Sequence, residues 1–251
     1  MPELNKANRQ VCDVDIRILK TMAPFLFFDT ANTTTAGLTG DSVHAMAKGT
    51  RRIAFHNPME GTMTIEAQVY PFKFFSLLSD GRIHSDSLYA VKKVITATVA
   101  DQLDITVPQG QVIQAGTVFV YPENAYGEES ALIAGTYASG RFTPSTVGSI
   151  VINTNYVVGY VVSRTGGVKR ISFKNANIPS DYYITMQTLD KDDKDVLTPF
   201  LMIAYKATIQ RSFELSFTSE GDPATVTLTF DLLEDKDGNI LDFVELTDDA
   251  E

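Results

Sequence analysis

The chain has 251 residues, 44% of them hydrophobic, which is enough for one large β domain or two small ones. Its formal charge is −10, from 31 acidic against 21 basic residues, the reverse of the balance that a free DNA-binding module carries. The single cysteine, Cys12, excludes an intramolecular disulfide and suits a reducing compartment.

The N-terminus, Met1–Lys6, is followed by no apolar core of signal-peptide length. The apolar stretch Met22–Phe28 is too short to span a bilayer, so the product reads as soluble and cytoplasmic when made. Residues 1–28 read as an arm entering a first strand, in which Val14, Ile16 and Ile18 alternate with Asp13, Asp15 and Arg17. Asp29–Gly49 is rich in Thr, Ala and Gly without a clear period. It reads as a loop of about twenty residues, a length that is usually functional or disordered. Strands are expected around Arg51–Asn57 and Thr62–Tyr70, with Asn57-Pro58-Met59-Glu60-Gly61 as a hairpin turn signal between them. Pro71–Gly81 is the best helix candidate, because proline fits the first helical position and Gly81 stands where a C-terminal cap would.

From Val99 to Gly167 the texture changes. Glycine is dense there and the basic residues are only Arg141 and Arg164. Short β-rich pieces (Leu103–Val107, Thr117–Tyr121, Ser149–Ile152, Tyr156–Val162) alternate with turn signals, which reads as a small inserted β-sandwich or a set of long surface hairpins. Long strands then return at Val168–Lys174, Tyr182–Leu189, Leu197–Thr208, Gln210–Ser219 and Ala224–Leu233. Asp190–Asp195 reads as a charged turn and Asp235–Asn239 as the last hairpin turn, before an acidic tail at Asp248–Glu251.

Three segments, Thr62–Val69, Ser212–Thr218 and Thr225–Leu232, alternate strictly between apolar and polar residues. Each buries one side and presents the other to water. The polar sides hold Ser, Thr, Gln, Glu and Asp, without Lys or Arg, so they offer nothing to grip a phosphate.

Chemistry is hard to find. Gly40-Asp41-Ser42 matches the nucleophile block of an esterase superfamily, but no histidine follows His84 to serve as its late base. The two acidic turns fail the calcium-loop pattern. Lys194 stands at the fifth place of one, Ile240 at the sixth of the other, and Leu201 and Leu246 at the twelfth. His44, His56 and His84 lack zinc spacing, and no glycine loop of the phosphate-cradling kind is present. The basic pairs Arg51-Arg52 and Lys92-Lys93 form no stripe and read as partners for acidic neighbours, across a subunit contact for instance.

Taken together, Asn57–Lys73, Val168–Phe173, Arg211–Phe217, Ser219–Ala224 and Asp231–Gly238 resemble bacteriophage tail tube (major tail) proteins, over roughly residues 45–98 and 165–247. The resemblance implies a mainly β fold, a tail-tube-like β-barrel or sandwich with one short packed α-helix and an inserted small β-sandwich. It implies a discontinuous tube domain, 1–98 and 166–251, with 99–165 as an insert on the tube exterior. Such proteins are structural, without catalytic residues, cofactor or metal. They form hexameric rings that stack into a hollow tube in the virion tail, assembled in the host cytoplasm. Partners would be other copies of the chain, a tail sheath where the tail is contractile, baseplate or initiator and terminator proteins, and a tape measure protein in the lumen. DNA would pass without specific binding, and no membrane is involved. The expected lumen-lining residues are Thr62, Thr64, Glu66, Gln68, Ser212, Glu214, Ser216 and Thr218. The expected ring-stacking loop contributes Asp29, Thr33, Thr35, Leu38, Asp41, His44, Met46 and Lys48. Another tail component stays open as an alternative: a baseplate or terminator ring protein, or a decoration or adhesin protein with a receptor- or sugar-binding insert.

Overall fold

Period-two alternation dominates the chain, and the computed structural model resolves it almost entirely into antiparallel strands. It describes residues 5–215, 219–221 and 223–246. In chain order the strands are β1 (Lys6–Asn8), β2 (Asp13–Ile18), β3 (Pro24–Phe28), β4 (Thr33–Thr39), β5 (Ser42–Ala47), β6 (Thr50–His56), β7 (Glu60–Ala67), β8 (His84–Thr96) and β9 (Leu103–Asp104). There follow β10 (Gln111–Ile113), β11 (Phe119–Pro122), β12 (Gly135–Ala138), β13 (Arg141–Pro144), β14 (Asn155–Arg170), β15 (Tyr182–Asp192), β16 (Leu197–Ile209), β17 (Val226–Leu232) and β18 (Leu241–Glu245).

The chain divides into two compact units, one from residues 1–82 with 172–251 and one from Ile83–Ile171. The first holds a nine-stranded sheet in the order β3-β2-β15-β16-β17-β7-β4. The short strand β1 also pairs with β15, and β18 also pairs with β16. One face of this sheet is the core: Val14, Ile16, Met63, Ile65, Ile184, Met186, Leu228 and Phe230 are fully buried. Among the described residues no sheet closes on itself, so the barrel expected from the resemblance is not formed within one chain.

A helical segment covers that core face, but it is a 3₁₀ helix over Phe72–Leu78 rather than an α-helix. The Ser76 hydroxyl donates to the Lys73 carbonyl at 2.6 Å, a local bond that competes with regular α-helical pairing. Phe74, Leu77 and Leu78 are buried against the sheet, and Phe74 stacks on Tyr70 and packs at a tilt against Phe28. Gly81 ends the segment at φ +74, its N–H on the Ser76 carbonyl, as expected of a terminating glycine.

Three expectations are corrected. Asp29–Gly49 is not a loop: it contains β4, an edge strand paired to β7 from Thr33↔Glu66 to Thr39↔Glu60, and then β5, which pairs with β6. Asn57–Gly61 is not a hairpin turn either, because it links β6 to β7, strands of different sheets. Gly61 lies inside β7, where a Cβ would meet Leu232 and Leu38 at 2.9 Å. The strand expected over Gln210–Ser219 does not form through Arg211–Leu215, and residues 216–218 lie outside the described residues. On the sheet, β17 already has β16 and β7 as its two neighbours. Phe213 instead packs its ring on Phe75 and Phe173.

The second unit is built on the long pair β8–β14, in continuous register from Asn155↔Thr96 to Thr165↔Asp86, with β10 and β11 on the other side of β14. The strand expected at Tyr156–Val162 and the first part of that expected at Val168–Lys174 join in β14, with an irregularity between Thr165 and Arg170, while 171–174 form no strand. A small sheet, β12-β13-β9, shares its core, in which Leu103, Ile105, Val120, Phe142, Val158 and Val162 are buried.

Candidate functional site

The face of the nine-stranded sheet opposite the core is polar, and its composition follows from the register. Across β4, β7 and β17 the side chains fall in rows: Thr33, Glu66 and Thr227; Thr35, Thr64 and Thr229; Gly37, Thr62 and Asp231. The Thr64 and Thr229 hydroxyls are 3.4 Å apart, a cross-strand polar pair of the kind that helps to hold a sheet in register. None of these positions is basic. Farther along the sheet, Asp13, Asp15 and Arg17 of β2 stand opposite Gln187, Thr185 and Tyr183 of β15. Arg17 is the cation of that row, and its Nε is bonded to Asp15 Oδ2 at 2.7 Å. Asp231 accepts from Gln210 Nε2 at 2.7 Å.

Of the residues expected to line a lumen, Thr62, Thr64 and Glu66 share this face. Gln68 lies just beyond β7. Its backbone N–H donates to Asn32 Oδ1 at 2.9 Å, and its amide reaches Thr225 at 3.5 Å. Ser212 and Glu214 are on no strand, yet they line one groove with Thr225, Thr227 and Thr229. Ser216 and Thr218 lie outside the described residues. The structure therefore brings two separate sequence segments to one surface, and it adds Thr227, Thr229 and Asp231 from β17. Thr33 and Thr35, expected in a stacking loop, sit on the same face.

The other residues expected in that loop are scattered. Asp29 is exposed between β3 and β4, and Leu38 packs beside Gly61 on the core side of β4. Asp41 precedes β5 and accepts the Asn57 N–H through its carbonyl at 2.9 Å. His44 and Met46 are on β5, and Lys48 is in the β5–β6 turn at φ +52. Ser42 stands opposite His56 in the β5–β6 register, but both are exposed and no hydrogen bond between them is found.

The two acidic turns share one geometry. Asp192 Oδ1 accepts the N–H groups of Lys194 and Val196 at 2.8 and 2.9 Å, and Asp235 Oδ1 those of Asp237 and Asn239 at 2.9 and 2.8 Å. These backbone bonds hold both carboxyls below the ordinary carboxylate range. The carboxylates are thus used within their own turns, and no cluster of three metal-ligating side chains occurs among the described residues. The second turn is not a hairpin connection, as expected above, because β17 and β18 both pair with β16.

A model of the YomU/Tube protein family matches residues 9–246. The chain belongs to the YomU/Tube protein family. No curated protein is similar enough in sequence to count as a relative. Membership of the YomU/Tube family agrees with the resemblance to phage tail tube proteins and makes the chain a tube-type structural component of the virion tail. No helix among the described residues is long and apolar enough to cross a membrane.

Proposed function

We propose that this YomU/Tube chain assembles as hexameric rings that stack into a hollow tail tube, with the polar face of β4, β7 and β17 toward the bore. One observation carries the reading: a nine-stranded sheet has a buried apolar face, a Thr- and acid-rich polar face and, among the described residues, unpaired edges at β3 and β4. Free edges are pairing templates, and joining them between copies would close the sheet without leaving an aggregation-prone rim. A bore lined by these rows, which hold Thr, Glu and Asp and no basic residue, repels phosphates, so DNA slides instead of binding. Six chains at −10 would place about −60 on each ring. On this reading Thr62, Thr64, Glu66, Gln68, Ser212 and Glu214 line or border the bore. Of the expected stacking segment, Asp41, His44, Met46 and Lys48, which lie beyond β4, contact the next ring. Terminal tail proteins cap the tube, a tape measure protein fills it before DNA does, and a sheath surrounds it in a contractile tail.

The test is negative-stain electron microscopy of the purified protein after long incubation at high concentration. Hollow tubes or stacked six-fold rings are the expected outcome. Persistent monomers, even with tail-tip components supplied, would refute the tube and favour an accessory tail protein. Glu66→Lys with Glu214→Lys tests the bore: tubes should form normally while DNA ejection slows or stops.

A further inference from the structure

In the second unit, one face of the sheet formed by β8, β14 and β11 belongs to the core, through Tyr156, Val158, Tyr160 and Val120. Register sets the opposite face. Phe119, Gly159 and Lys92 make one row across β11, β14 and β8, and Tyr121, Val157 and Val94 make the next. The chain leaving β11 returns over this face and lays Tyr126 on Gly159, where a Cβ would collide with the tyrosine ring. Tyr121 meets Tyr126 in a T-shaped contact, with ring centroids 5.3 Å apart. Phe119 is 48% exposed and Tyr126 43%, so these rings lie outside the core.

Polar groups stand at both ends of the aromatic strip. At one end the Lys92 ammonium lies 4.4 Å from the centroid of the Tyr126 ring. Among the described residues Lys92 has no ion-pair partner. Residues 87–96 and 155–164, which form this part of the sheet, contain no Asp or Glu, whereas the whole chain carries −10. At the other end the Thr96 hydroxyl donates to Asn155 Oδ1 at 2.7 Å, and Asn155 Nδ2 donates to Glu123 Oε2 at 3.3 Å. Those bonds hold an amide and a carboxylate side by side. Lys92 and Thr96 are four residues apart on one strand, or about 13 Å.

We propose that this strip binds an oligosaccharide in which carboxylate-bearing and neutral sugars alternate. The sugar carboxylate meets Lys92, the C–H faces of the sugar rings pack on Phe119 and Tyr126, and the hydroxyls of the neutral unit meet Glu123 and Asn155. Rigid aromatic rings beside an acid–amide pair suit a ligand that is apolar on its ring faces and hydroxylated at its edges. The unpaired cation in an acid-free patch calls for an anionic group. A second acidic unit would stand beside Glu123 and be repelled. One cation is too few for a nucleic-acid backbone. The site lies wholly within the second unit, and the inference goes beyond the tube reading without resting on it.

The test is isothermal titration calorimetry of the full chain with a hyaluronan octasaccharide, in which glucuronate and N-acetylglucosamine alternate. Neutral dextran and fully acidic galacturonate oligosaccharides of the same length should bind about tenfold more weakly or worse. Lys92→Gln should abolish the preference for hyaluronan over dextran. Tyr126→Ala should weaken binding of hyaluronan by about tenfold. Glu123→Gln should raise the affinity for the galacturonate oligosaccharide, because it removes the repelling charge. All three variants change exposed residues, so their thermal melts and their assembly should match the wild type. Failure of binding and failure of the tube reading are therefore read separately. No binding to any of the three oligosaccharides would overturn the proposal. So would equal binding of hyaluronan and dextran, or hyaluronan binding that survives both Lys92→Gln and Tyr126→Ala. Tighter binding of oligothymidylate than of hyaluronan would reassign the strip to single-stranded nucleic acid.

Discussion

The β5–β6 ribbon directly precedes β7 in the chain, and it shares a design with the β7–β17 pair: two antiparallel strands, one apolar face, one polar face. In β7–β17 the apolar side chains Met63, Ile65, Leu228 and Phe230 are completely buried. In β5–β6 the equivalent Val43 and Phe55 stand more than half in water. The difference lies in what covers them. β7 and β17 contribute to the core that the 3₁₀ helix covers, whereas β5 and β6 pair only with each other among the described residues and leave their apolar side exposed. Alternation specifies an amphipathic strand; whether it stabilises the subunit or an assembly depends on where its cover comes from.

The sharpest way to break this comparison is a matched pair of truncations. Phe230→Ala should cost about 3–5 kcal/mol of subunit stability in a denaturant titration, because it opens a cavity in a closed core. Phe55→Ala should change the same titration by no more than about 0.5 kcal/mol, and show itself only in association between copies. Similar losses from both would mean that the ribbon is packed within the subunit. Next in size is Gly61→Ala, whose Cβ would press on Leu232 and Leu38 at 2.9 Å. It should cost about 1–3 kcal/mol and loosen the β4 edge, as read by amide exchange of Thr35 and Gly37. A neutral result would show that β4 yields easily. Glu66→Lys should leave subunit stability within about 0.5 kcal/mol, because Glu66 lies on the wet face.

The smallest effect concerns pH. Asp192 and Asp235 are held below the ordinary value of 3.8, so their turns are fully supported above it. That support drains away as the pH falls from 3.8 through their lowered values. The amide NMR shifts of Val196 and Asn239 should therefore hold steady down to about 3.8 and move below it. Movement well above that value would mean that the carboxylates do not cap these turns.

The strands whose alternation contrasts large apolar with polar residues were legible in the sequence. Val14 and Ile16 in β2, Met63 and Ile65 in β7, and Leu228 and Phe230 in β17 all sit where a period of two puts them. Asp29–Gly49 was not, because its inward residues, Thr34 and Ala36, differ little in polarity from the Thr and Gly beside them. The turn at Lys48-Gly49 carries a weak signal, since lysine is an unusual first residue for two positive φ values. Arg211–Leu215 shows the opposite failure. Its alternation is plain, but both sides of the following strand β17 are taken by β16 and β7, and a periodic pattern contains no information about which strands are already paired. For the polar face, Thr62, Thr64 and Glu66 could be singled out from the sequence. That Thr33, Thr35, Thr227 and Thr229 join them rests on register between distant segments.

The most direct measurement is a helical cryo-electron microscopy reconstruction of assembled tubes. The account predicts that Thr64, Glu66 and Thr229 face the bore, with the β3 and β4 edges paired to neighbouring copies. A map with this face turned outward or buried between rings, or with those edges left open, would contradict it.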